Sequence, residues 1–152
     1  MRQPSPLARL KYDTSLTDLL DQLPHTLLAG WARACAERVL PLYETAEPGD
    51  TRPRTALDAI GKWQSAELKM WDARKAAFPA HAAARETDDP AACAAARATG
   101  QALGTIHVRG HATAAAGYAL IAVRESGGDI SGEEAWQREH LAELVAQAAR
   151  DV

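Results

Sequence analysis

Residues 87–104 read Thr-Asp-Asp-Pro-Ala-Ala-Cys-Ala-Ala-Ala-Arg-Ala-Thr-Gly-Gln-Ala-Leu-Gly. Asp89 followed by Pro90 is the clearest helix start in the chain: an acid that can cap, then a proline at the first helical position, where no backbone N–H is needed. The alanines behind it lose no side-chain entropy on entering a helix. The helical pattern continues to Arg124, interrupted by Gly100, Gly104, Gly110 and Gly117. It predicts either one bent helix or two helices broken near 100–105. Gly127-Gly128-Asp129 ends the run.

Working outward, the same pattern recurs. Leu28, Trp31, Cys35, Val39 and Leu42 form one apolar face of a helix over 25–46, which Pro41 should kink or shorten. Thr51 can cap a helix that buries Leu57, Ile60, Trp63 (or Gln64) and Leu68. A further helix over about 70–86 carries Trp71, Arg74, Phe78, His81 and Arg85 in one stripe, with Pro79 an awkward interior residue. Thr14 or Ser15 can cap a short helix at 16–23, and Ser131, with Glu134 at the capping-box position, can open the last one. The expectation is an all-α fold: a single compact domain over 14–152 of about six to seven antiparallel, Ala-rich helices, preceded by a loosely ordered arm at 1–13 that holds two prolines. β-Branched residues are few and never alternate over a strand length, which excludes a sheet.

Composition narrows the function classes. The chain has 152 residues, long enough to bury a core without disulfides or metal. About a fifth of it is Ala, against one Phe, three Tyr and four Trp. Trp31, Trp63, Trp71 and Trp136 are therefore read as core anchors, one to each of four helices, filling the space that small side chains leave. The net charge is −3 and no basic run exists, so the electrostatic footprint of a nucleic-acid binder is missing. Arg greatly outnumbers Lys, which a GC-rich coding sequence explains. No apolar stretch approaches the roughly 20 residues of a membrane span. Residues 1–15 lack the apolar region of a signal peptide. Together these readings predict a cytoplasmic protein in which Cys35 and Cys93 are buried thiols.

Three groups of residues bear on chemistry. His107 and His111, four apart, would share one helix face, with His81 a third nitrogen from a neighbouring helix; that set is the metal-site alternative. It lacks the Glu of a His-Glu-x-x-His protease, because Val108 follows His107. The plainer reading packs these rings in the core, bonded to neighbouring helices. Glu37, Arg38, Arg52, Asp58, Arg85 and Arg97 are charges in or beside apolar patterns. They are either interhelical ion pairs fixing the register of smooth helices or, with His107, His111 and Tyr118, the lining of a pocket for an anion or a partner's carboxylates. No Gly-x-Ser-x-Gly, Walker A or Cys-x-x-Cys motif is present.

Four segments in order carry a family resemblance. They are Cys35-Ala-Glu-Arg-Val-Leu-Pro41, then Asp50-Thr-Arg-Pro-Arg54 with Ala56-Leu57 and Trp63, then Ala80-His-Ala-Ala-Ala-Arg85. The fourth comprises Ala96-Arg97, Gly100-Gln101-Ala102, His107 with His111-Ala112, and Tyr118-Ala119. This order resembles the Imm5-like family of immunity proteins from bacterial polymorphic toxin systems, over roughly residues 30–122. The resemblance implies a small all-helical protein that binds and neutralises a toxin made by the same cell, without catalysis or cofactor. Its matching polar positions here are Glu37, Arg38, Arg52, Trp63, His81, Arg85, Arg97, His107, His111 and Tyr118. The competing readings are a metal- or small-ligand-binding helical enzyme using His81, His107 and His111, and a scaffold whose polar residues serve packing and whose surface forms a homodimer.

Overall fold

The computed structural model describes residues 4–152. Among them the chain forms ten helices and no strand. These are α1 (Pro6–Lys11), α2 (Thr14–Asp21), α3 (His25–Glu37), α4 (Leu40–Ala46), α5 (Arg52–Gln64), α6 (Met70–Arg74), α7 (Ala77–Glu86), α8 (Pro90–Gly104), α9 (His111–Glu125) and α10 (Ile130–Arg150).

The count exceeds the expected six to seven because prolines cut two of the predicted helices and α1 forms within residues 1–13. A proline ring collides with the carbonyl four residues earlier and offers no N–H to it. For Pro41 that carbonyl belongs to Glu37, where α3 ends. For Pro79 it belongs to Lys75, the residue that closes α6. Each proline then sits in the first turn of the following helix, where its missing N–H leaves nothing unpaired.

The arm expected at 1–13 also needs correction, except for residues 1–3, which lie outside the described residues. The Ser5 hydroxyl accepts from Ala8 N, and Pro6 takes the first helical position. Leu10 is buried. The resulting α1 lies on α9 at Gly117, where a Cβ would come within 2.7 Å of Leu7 Cδ2. Pro6 starts a helix here rather than preventing one.

Aspartates cap three further helices. Asp13, Asp89 and Asp129 accept from the backbone N–H of Leu16, Ala92 and Gly132 at 3.1, 3.0 and 3.0 Å. Each such cap stabilises its helix by about 1 kcal/mol. Asp89 is the expected cap, whereas Thr14, Ser15 and Ser131 lie just inside helices that an aspartate opens. Left-handed Gly127 (φ 77°) turns the chain from α9 toward α10, a conformation that a Cβ would strain.

Helix α8 is the centre of the fold, packed against α3, α4, α5, α7 and α9. Eleven of its residues are buried, all of them Ala, Gly, Thr or Leu. Small side chains let these neighbours approach a single axis closely. The larger core residues lie on the helices around it: Trp31, Tyr43, Leu57, Ile60 and Leu120 are all fully buried. Trp31 also donates from Nε1 to the Gln137 carbonyl at 2.9 Å, while Gln137 Nε2 donates to Ala116 O at 3.0 Å, joining α3, α10 and α9.

Of the four tryptophans read as anchors, only Trp31 is fully buried. Trp63 and Trp136 pack half-buried against the core. Trp71 is 66% exposed, because α6 is a single short turn that contributes only Ala73 to the interior.

Candidate functional site

The one stripe of α8 that its neighbours leave half-covered is Cys93, Arg97 and Gln101, spaced four apart on one face. Its two polar members reach sideways to different helices. Arg97 Nη1 lies 3.1 Å from His81 Nδ1 on α7, and Gln101 Oε1 lies 2.6 Å from His111 Nδ1 on α9. An arginine can only donate, so His81 Nδ1 accepts and its ring proton sits on Nε2. The amide oxygen of Gln101 accepts, so His111 carries its proton on Nδ1. The two histidines are thus held in opposite tautomers by one helix.

Glycines make room for the rings. A Cβ at Gly100 would lie 2.5 Å from His81 Nε2, and one at Gly104 would lie 3.0 Å from His111 Cγ. His107 completes the group from an unexpected position. The break in the long helical pattern falls at 105–110, not at 100–105, so His107 lies in the turn between α8 and α9. It shares no helix face with His111, yet the turn brings the ring centroids to 5.8 Å.

Together these side chains line a cavity of about 230 Å³ whose remaining wall is Arg74, Ala77 and Phe78. No carboxylate lines it. Burial pushes all three imidazoles below the ordinary histidine range; the positive charges of Arg97 and Arg85 add to this at His81, and that of Arg74 at His107. The rings are therefore neutral at pH 7. His107 Nδ1 is buried without a hydrogen-bond partner.

Among the described residues no cluster of three or more His, Cys, Asp and Glu side chains can hold a metal. Two of the three Nδ1 atoms are already engaged by Arg97 and Gln101, and no carboxylate is at hand to neutralise a cation.

The other sequence candidates lie elsewhere and do not converge on one pocket. Arg38 makes a two-pronged pair with Glu133 of α10, at 2.7 and 2.9 Å, and stacks 4.1 Å from the Trp136 ring. Glu37 and Glu44 both pair with Arg54. Arg52 bonds Asp50 and Glu86, and the Tyr43 hydroxyl donates to Asp50 at 2.6 Å. Arg52, and secondarily Tyr43, hold the Asp50 carboxyl well below the usual carboxylate range. Asp58 and Arg85 are exposed, and Tyr118 packs half-buried against the core. These pairs tie helices together at the surface.

Sequence reasoning passed over Arg74 and Gln101 as site residues. The signal for Gln101 was its spacing of four from Arg97 beside two glycines. Arg74 already stood in a stripe with Phe78 and His81. Two exposed aromatic residues flank the cavity: Phe78, 70% exposed, on its wall, and Trp71, whose ring lies 4.8 Å from the Arg74 guanidinium.

No helix among the described residues is long and apolar enough to cross a membrane. Neither a curated protein nor a solved structure matches the chain significantly. A family model does match, over residues 18–144. The match is wider than the resemblance at 30–122, and it takes in the second half of α2 and most of α10. The chain therefore belongs to the family described as Imm-5 like putative immunity protein.

Proposed function

We propose that this protein is a non-catalytic immunity protein that binds a toxin protein of the same cell and blocks its action. Family membership across 18–144 is the observation that carries this reading. The surface adds a second support. Trp71 and Phe78 are large apolar side chains left in solvent on neighbouring short helices, with a half-buried arginine between them. Aromatic and arginine side chains concentrate binding energy at protein interfaces. An immunity protein needs a rigid scaffold and a contact face and no reacting group, which suits a chain whose ion pairs join helices.

Co-expression with the toxin encoded by the neighbouring gene tests this. Growth should be restored and the two chains should co-purify as a stable complex. Continued killing with no complex would reject the reading.

A further inference from the structure

We propose that the cavity between α6, α7, α8 and the turn before α9 is a carboxylate-binding pocket, which receives an aspartate or glutamate side chain of a protein partner on Arg74, His81 and His107. The partner half of this inference rests on the reading of the chain as a toxin-binding protein.

Four observations carry it. First, the lining combines an arginine, three histidines and a glutamine with no acid. Arg74 pairs with no carboxylate among the described residues and rests on the Trp71 ring instead. Elsewhere on the molecule Arg38, Arg52 and Arg54 each pair with an acid. Second, two ring nitrogens of the lining residues are unspent. Arg97 fixes the His81 proton on Nε2, the atom that faces Gly100, and no side chain of the described residues accepts from it. His107 Nδ1 is buried and unpartnered. Third, the size fits. At about 230 Å³ the cavity is below the range typical of drug-sized ligands and suits the end of one side chain. Fourth, the rim fits a protein better than a free metabolite. Phe78 and Trp71 offer apolar area that a small acid would leave uncovered.

The polar groups lining the pocket are Arg74 from α6, His81 from α7, Gln101 from α8, His107 from the turn and His111 from α9, while Arg97 and Arg85 act on His81 from outside the lining. Every charged one among them is basic. A bound carboxylate raises the proton affinity of the neighbouring imidazoles, so binding strengthens as pH falls from 7.5 to 5.5, where the acid is still ionised.

The test has two arms. In the first, the histidine ring resonances of the free protein are followed while sodium acetate is added, against sodium chloride at matched ionic strength. His81 and His107 should shift saturably with acetate alone, and their titration midpoints should rise. Arg74→Gln should weaken acetate at least fivefold, Arg74→Lys should retain most of it, and Arg124→Gln should change nothing. Identical shifts in acetate and chloride, or no response to Arg74→Gln, overturn the pocket. In the second arm, the toxin is titrated onto wild type and Arg74→Gln. A loss of at least tenfold supports a carboxylate from the partner. Acetate binding with unchanged toxin affinity overturns the partner as source. Absence of any complex rejects the immunity reading, and with it that source, while the acetate arm still decides the pocket.

Discussion

Replacing Phe78 by alanine separates a docking residue from a core residue, because the ring is mostly outside the fold. A phenylalanine can bury about 200 Å². With Phe78 70% exposed, about 140 Å² remains for a partner to cover, worth up to ~3.5 kcal/mol at 25 cal/mol/Å². That is about 300-fold in affinity, within the range of interface hot spots. The part already buried, about 60 Å², corresponds to ~1.5 kcal/mol of fold stability. Alanine returns roughly half a kcal/mol of that through its higher helix propensity. Urea denaturation of Phe78→Ala should thus show a loss near 1 kcal/mol, while calorimetric titration with the toxin shows a loss of about 2–3.5 kcal/mol. A stability loss above ~3 kcal/mol, the mark of a core cavity, together with unchanged toxin affinity would refute the reasoning.

Other outcomes follow from the same packing. Gly117→Ala should destabilise by about 1 kcal/mol net, since a Cβ there would meet the Leu7 backbone Cα at 3.2 Å as well as Leu7 Cδ2 at 2.7 Å, which outweighs the gain in helix propensity; a higher urea midpoint would contradict the close approach of α1. The depressed pKa values of His81, His107 and His111 mean that the folded state binds fewer protons than the unfolded one. Their contribution is therefore fully present above about pH 6.5 and is lost as pH falls through the folded values. The urea midpoint should drop between pH 6.5 and 5, less so in His107→Gln; equal slopes would count against a desolvated His107. Cys35 is fully buried, and burial raises its thiol pKa well above the ordinary value. Cys93 is half-buried. A thiol reagent should label Cys93 alone in the native protein, and equal labelling rates would show that the core opens at Cys35.

How much of this was legible in the sequence depended on how local the deciding physics was. Asp89-Pro90 announced α8 because a cap and a first-turn proline act within four residues. Pro41 and Pro79 announced trouble for the same reason, although a helix broken in two and a helix bent look alike until packing chooses. Pro6 misled, because two prolines suggested an arm while Ser5 and buried Leu10 made a helix. His107 misled differently: a spacing of four means a shared helix face only if the helix runs through, and the chain turns between Gly104 and His111. Its closeness to His111 is a property of that turn. The exposure of Trp71 was beyond reach, since it depends on α6 being too short to bury both its faces. The stripe of Arg97 and Gln101 beside Gly100 and Gly104 could have been read, as all four positions are fixed by helical spacing.

The account's central claim is that a partner protein covers the rim and cavity of α6, α7 and the turn before α9. Backbone hydrogen exchange, measured on the free protein and on its complex with the toxin encoded beside it, tests this most directly. Added protection should centre on residues 70–81 and 105–111, with α10 and the Arg38–Glu133 side unchanged. Protection confined to α10, or to α1 and α2, would place the interface elsewhere and contradict the account.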